Sequence, residues 1–361
     1  MTSSLRRRVF WSVPAVTAVA VTAGYLLPST ASATNHPVLP KRSAAQLLAA
    51  VQTSAVQHLS GTVVETARLG LPSLPGSDSA AALSWQTLVT GTHTARLWLD
   101  GPDRQRVALL GQLSESDVVH NGRDVWTYAS DARTVGHTVL PADATKRANT
   151  HDLHGYTPQG AAAQALKAID PSTAVSVDRT ARVAGQPVYT LVLTPRDSRS
   201  TVRRVLIAID AAHSVPLRVQ VYGAAAKPAF ETGFTDVSFA RPAASVFRFT
   251  PPKGAKVTRD LLGTMPEQQD HQDATGPQSA QPKVLGTGWT SVLAVPATKD
   301  GRSSVAGLNG SGLDKVTTTL PNGDRLVRTA LVNVLLARDG RVFVGAVAPA
   351  VLQQAAAGHV G

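Results

Sequence analysis

The 361-residue chain contains no cysteine, which excludes a disulfide framework, thiolate-held zinc or iron–sulfur centres, and a cysteine nucleophile. Acidic residues are few: 24 Asp and Glu against 35 Lys and Arg give a formal charge of +11. Aromatic residues make up only 5%, and the arginines are scattered instead of forming a basic stripe with interleaved rings. That pattern argues against a surface that tracks a nucleic-acid backbone. The chain also has no G-x-S-x-G elbow, no Ser-x-x-Lys pair and no H-E-x-x-H, so the familiar hydrolase and metalloprotease signatures are missing.

What the chain does have is apolar content. At 43% it can build a core, and at about 150 residues per domain its length suggests two domains. Arg6, Arg7 and Arg8 precede the apolar run Val9 to Leu27, and Ala31-Ser32-Ala33 offers a small-residue cleavage site. This is the layout of a secretory signal peptide spanning residues 1–33 and cleaved after Ala33, which places the protein in the extracytoplasmic space, periplasm or cell wall. The alternative is an uncleaved N-terminal membrane anchor, since nineteen mostly apolar residues approach the length of a span. Cleavage would remove three arginines and no acids, leaving +8.

Residues 43–58 place Leu47, Leu48, Val51, Ala55 and Leu59 at helical spacing, with Ser43 as N-cap. Strand signals follow at Val63–Leu69, Thr94–Asp100, Arg104–Leu110, Val118–His120 and Val125–Tyr128. Asp100-Gly101 and Asn121-Gly122 sit between pairs of these, and such dipeptides supply the positive φ angles of tight hairpins. A second helix is read at 158–168, and strands resume at Val175–Val183, Val188–Leu193, Val202–Ile209, Leu217–Tyr222 and Phe230–Phe239. Their spacing predicts an antiparallel meander.

Between Gly263 and Lys283 the composition shifts to five glutamines and three prolines with no Val, Ile, Leu or Phe, the mark of a linker, drawn here as 261–283. The remainder, 284–361, reads as a small second domain with a strand over Val284–Pro296, a hairpin of Leu326–Leu336 and Arg341–Ala348 around Asp339-Gly340, and a terminal helix at Pro349–Ala357.

Chemistry-bearing clusters are sparse. His151-Asp152-Leu153-His154 holds two imidazoles and a carboxylate, a set that reads more readily as a polar loop than as a zinc site. Asp270, His271 and Asp273 fall in the linker, and Gly307-Leu-Asn-Gly310-Ser-Gly312 lacks the order of a dinucleotide fingerprint. No catalytic set, metal site or cofactor site is assigned, and the protein is read as a non-enzyme. From the residues alone, the apolar sheet face is either ordinary core or the wall of a cavity larger than its helices fill.

The order of elements resembles the LolA-like superfamily, which includes lipoprotein carriers and the RseB (MucB) regulators. The likeness sits in Arg96-Leu-Trp-Leu-Asp-Gly-Pro-Asp-Arg-Gln-Arg-Val107, similar to the family's strand pair around a tight turn, and in Val119-His-Asn-Gly-Arg-Asp-Val-Trp-Thr-Tyr128, similar to its G-x-x-x-W-x-Y hairpin. Phe247 to Val257, with Pro252 and Gly254, looks like the family's closing F-x-x-P-x-G-x-x-V. The resemblance covers residues 43–260 and implies an α+β fold: an antiparallel sheet curled as an incomplete β-barrel around helices, followed by a small α+β C-terminal domain. It also implies binding of lipid or lipoprotein acyl chains in an apolar cavity. The cavity-wall candidates are Leu97, Leu99, Val107, Leu109, Trp126, Tyr128, Leu191, Leu193, Leu206, Val219 and Val221, and a one-residue slip in register would reverse which of them point inward. The second domain implies an RseB-like regulator whose partner is the extracytoplasmic part of a membrane anti-sigma factor. A LolA-like carrier and a structural cell-wall module with a filled core are the alternatives.

Overall fold

The computed structural model describes residues 37–71, 91–111, 114–140, 157–167, 169–259, 281–297 and 316–358. Helix α1 spans Ala44–Gln52 and begins at a full capping box: the Gln46 amide donates to Ser43 Oγ at 3.2 Å, and the Ser43 amide donates to Gln46 Oε1 at 2.8 Å. The helix stops short of the 43–58 reading, and Leu59 belongs to the first strand. Thr53 ends it by turning its hydroxyl back onto the Ala49 carbonyl at 2.9 Å, while Ser54 donates to His213 O; such side chains compete with helix propagation.

Twelve strands form one sheet: β1 (His58–Ala67), β2 (Gly91–Asp100), β3 (Arg104–Leu110), β4 (Glu115–Asn121), β5 (Asp124–Ala129), β6 (Thr134–Val139), β7 (Thr173–Val183), β8 (Gln186–Pro195), β9 (Arg204–Asp210), β10 (Pro216–Tyr222), β11 (Phe230–Ser238) and β12 (Lys256–Arg259). Their order is β12-β6-β5-β4-β3-β2-β1-β11-β10-β9-β8-β7, so two meanders meet at β1, which pairs with both β2 and β11. All neighbours are antiparallel except β12, which runs parallel to β6. The two predicted hairpins form where expected, with Gly101 and Gly122 at φ 75° and 64°. β7 comes against β11 in addition to its ladder partner β8, which bends the sheet on itself, yet among the described residues β12 and β7 end the sheet and the barrel stays incomplete.

Helix α2 (Pro158–Lys167) lies over β10 and β11, and its first turn is capped by Thr157 Oγ1, which accepts from the Gly160 amide at 3.0 Å. Two apolar clusters pack against this sheet. One gathers Tyr189, Leu191, Leu193, Val205, Ile207 and Val219 beneath Leu47 of α1 and Ala162 of α2. The other packs Leu59, Val63, Leu97, Val107 and Leu109 against Val183, Val188, Val215, Leu217 and Phe234. This second cluster draws on strands of both meanders, and its Val188 and Ala208 lie on the face of β8 and β9 opposite Leu191 and Ile207.

A second sheet holds β13 (Lys283–Leu285), β14 (Val292–Val295), β15 (Thr317–Thr319), β16 (Arg325–Arg328), β17 (Asn333–Leu336) and β18 (Val342–Gly345), in the order β13-β14-β18-β17-β16-β15. Helix α3 (Pro349–Ala356) buries Val351, Leu352 and Ala355 against Val292, Leu326, Leu335 and Phe343. The strand read over Val284–Pro296 divides into β13 and β14, because Gly286 and Gly288 adopt left-handed backbone and Trp289 sits in a 3-10 turn between them. Leu326–Leu336 likewise divides into β16 and β17. Thr329 Oγ1 accepts from the amides of Leu331 and Val332 and donates to Val332 O at 2.6 Å, closing a turn inside the apolar run.

The second sheet is hydrogen-bonded to the first at several places. The Ala330 amide donates to Leu69 O, Thr201 to Ala346 O and Ala348 to Arg199 O, each at 2.9 Å. The Trp289 indole donates to Thr173 Oγ1 at 2.7 Å. Leu331 is buried in the cluster beneath α1 and α2, and Trp289, Ala330, Val332 and Ala346 pack against it. Gly223 allows this approach: a Cβ built on it would stand 2.4 Å from Ala330 O.

Candidate ligand-binding site

In a β-ladder, residues directly opposite one another share a face, so the register assigns the candidates. Leu97 opposes Val107, and Ala95 opposes Leu109; all four face inward with Leu59 and Val63 in the cluster shared by the two meanders. Leu99 opposes Leu59 on the same face and is half-buried. On the other meander Leu193 opposes Val205, Leu191 opposes Ile207, and Ile207 opposes Val219; these face α1 and α2, with Val221 half-buried at their margin. Leu206 falls between Val205 and Ile207 and therefore points to the opposite face.

Trp126 and Tyr128 also lie on the outer face. Trp126 opposes Val119 and Tyr128 opposes Asp117, on the side away from Val107 and Leu97. The Trp126 ring stacks on His137 at 3.8 Å, and both aromatics lean on Phe249, at 5.5 and 6.0 Å. Beside them is an open hollow of about 670 Å³ lined by Arg106, Glu115, Asp117, Tyr128, Arg248 and Phe249, among others. Arg106 is fully engaged there: it grips both oxygens of Asp117, with Nη2 at 3.0 Å from Oδ2, and lies over the Trp98 ring. Burial raises the Asp117 carboxyl, and the Arg106 charge offsets part of that rise. The register thus divides the eleven candidates between two faces.

The inner face also carries a polar group that the sequence reading passed over. Glu65 is 6% exposed and lies between Val63 and Ala67 on the inward side of β1. It opposes Thr232 on β11 and His93 on β2, and Thr232 opposes Val219 on β10. Thr232 is 1% exposed and sits between Phe230 and Phe234. Among the described residues, Glu65 Oε1 and Thr232 Oγ1 have no hydrogen-bond partner. Burial raises the Glu65 carboxyl from 4.5 to about 7. The signal was present in the chain, since Glu65 shares the parity of Val63 and Ala67. With Val63 and Val64 both apolar, however, the alternation did not say which parity faced inward.

His151, Asp152 and His154, and the linker residues Asp270, His271 and Asp273, lie outside the described residues. Among the described residues no group of three or more His, Asp or Glu side chains is placed to hold a metal ion, and no helix is long and apolar enough to cross a membrane. The buried carboxylate Asp100 serves the fold: His58 Nδ1, Arg104 Nη2 and Arg241 Nε surround it at 2.8, 2.6 and 3.0 Å. Its burial would raise the carboxyl, but the hydrogen bond from Arg241 and the neighbouring charges hold it below the usual carboxylate range.

No family model matches the chain, and no curated protein matches it. Among solved structures it is similar to MucB from Pseudomonas aeruginosa in its complex with MucA, at 16% identity and a TM-score of 0.42, covering 86% of this chain and 96% of that one. It is similar to a conserved protein from Thermus thermophilus at 15% identity and a TM-score of 0.33, covering 60% and 98%. It is also similar to a LolA superfamily protein from Nitrosomonas europaea at 11% identity and a TM-score of 0.22, covering 58% and 99%.

Proposed function

We propose that the chain is a non-enzymatic binder of lipid or lipoprotein acyl chains, held on the inner face of the curled sheet beneath α1 and α2. The observation that supports this is how thinly the helices cover that face. The buried residues of α2 are Pro158, Gly160 and Ala162, and α1 contributes Leu47 alone as a fully buried side chain. Around the ladder of Leu191, Leu193, Ile207 and Val219, the aliphatic and aromatic groups of Leu48, Val51, Val175, Val177, Val221 and Phe230 are left half-buried. A sixteen-carbon chain laid there would contribute on the order of 12 kcal/mol gross, at about 0.8 kcal/mol per methylene, before the costs of ordering it.

The docked second sheet supports a regulator over a shuttle. Leu331 and Trp289 pack into the same cluster that the acyl chain would enter, so occupancy is felt at the sheet that a protein partner would read. On this reading the partner is the extracytoplasmic part of a membrane anti-sigma factor, as in the RseB (MucB)-like regulators. Native mass spectrometry of the purified chain, together with titration of a fluorescent fatty-acyl probe, tests the binding. A chain that carries no lipid and leaves the probe unbound ends the proposal. Acyl transfer between donor and acceptor vesicles at a rate set by protein concentration would instead favour a carrier.

A further inference from the structure

Glu65 and Thr232 are difficult to explain as core. Each is more than nine-tenths buried, they oppose one another across β1 and β11, and each has an oxygen without a hydrogen-bond partner among the described residues. A buried polar atom left unpaired destabilises the fold by about 1–3 kcal/mol, and here two adjoin. They lie in the row Glu65–Thr232–Val219, with Val219 in the cluster beneath α2 and their flanking residues Val63 and Phe234 in the neighbouring cluster. The helix above them, α2, brings a third such group in its first turn: Gln159 Nε2 is buried and has no partner among the described residues. Carboxyl, hydroxyl and amide thus sit on elements that pack together, in an otherwise aliphatic interior.

We propose that Glu65 and Thr232 form the polar end of the acyl site and select an uncharged acyl ester, of the glyceride kind, over a free fatty acid. The inference rests on the acyl-binding reading above. A glyceride presents hydroxyl donors to the Glu65 carboxylate and ester carbonyls to the Thr232 hydroxyl and the Gln159 amide, which satisfies the orphaned atoms. A fatty-acid carboxylate placed in the same position sets like charges side by side in a low-dielectric site and is rejected. Of the ionisable groups on the surrounding strands, His93 on β2 opposes Glu65 directly, while Arg96 on β2, Arg218 on β10 and Glu231 and Asp236 on β11 take the opposite face; Lys167 lies exposed in the last turn of α2. The upward shift of Glu65, caused by burial, is the expected companion of a carboxyl that has no cationic partner among the described residues.

The test compares two ligands of one chain length, a monoacylglycerol and the free acid, each with the same fluorophore at the ω end, binding to the full chain at pH 8.5. The intact protein is expected to bind the monoacylglycerol at least about tenfold more tightly. Glu65→Gln should bring the ratio below about threefold, mainly by improving binding of the acid, and Thr232→Val should weaken the monoacylglycerol and leave the acid unchanged. A ratio near one for the intact protein overturns the selectivity while leaving acyl binding standing, and needs no variant to fold. If neither ligand binds, the acyl-binding reading falls and this inference falls with it.

Discussion

Replacing Glu65 by Gln removes the buried carboxyl of the inner row and leaves its shape. In the folded chain burial raises this carboxyl from 4.5 to about 7, so between those values the native state holds a proton that the unfolded chain has released. Stability from this group is therefore fully present below pH about 4.5, declines as the pH rises, and is lost above about 7. At about 1.4 kcal/mol per pKa unit the loss amounts to roughly 3 kcal/mol. The glutamine amide, itself short of partners, costs some constant amount of order 1–2 kcal/mol at every pH, so the informative quantity is the slope and not the offset. Urea unfolding of both proteins at half-unit steps from pH 4 to pH 8.5 measures it. The stability of the variant relative to the parent should climb by about 3 kcal/mol across that range and then level off. Two parallel curves would mean that Glu65 is solvated or paired in solution, and the argument from its burial would collapse.

Three further outcomes follow from the same structure. Gly223→Val sets side-chain carbon where Ala330 O now sits, 2.4 Å from an ideal Cβ; a loss of about 1–3 kcal/mol is expected, and hydrogen exchange should rise first at the Ala330 and Thr201 amides that join the two sheets. Asp100 lies below its usual 3.8, so its contribution is present at neutral pH and is lost as the pH falls through and below that value; Asp100→Asn should flatten the acid limb of a thermal-melting profile between pH 2 and pH 5. Trp289→Phe deletes the indole donor to Thr173 and should cost about 0.5–1.5 kcal/mol, read by chemical denaturation, with no change in the far-ultraviolet spectrum.

Much of the scaffold was legible because it is written locally. Ser43 with Gln46 marks a helix start, and Gly101 and Gly122 mark hairpins whose strands lie a few residues away. The parallel pairing of β12 with β6 was not legible, since nothing in Lys256–Arg259 specifies a partner at Thr134–His137. The division of the candidate residues between faces was hidden for a related reason. Leu206 lies in the unbroken apolar run Val205-Leu206-Ile207-Ala208-Ile209, where alternation is silent and only the ladder with β8 and β10 assigns sides. Trp126 and Tyr128 entered the candidate set as apolar alternates of a strand whose inward parity the sequence left open. The structure gives them Phe249 to lean on instead, supplied by a segment more than a hundred residues later.

β1 joins two meanders, and its two partners become available at very different times. As the chain grows, β2 follows within a few tens of residues, but the other edge of β1 waits for β11, where Ser60 finally meets Ser238. Until then that edge, with Val63 and Val64 on it, is an unpaired template that another strand can capture. Closing so long a loop is entropically slow, so the first meander should fold in milliseconds and the seam much later. A nascent or refolding chain therefore passes through a state that is half built and adhesive along one strand, and mutations in β11 should show themselves first as aggregation and only afterwards as lost stability.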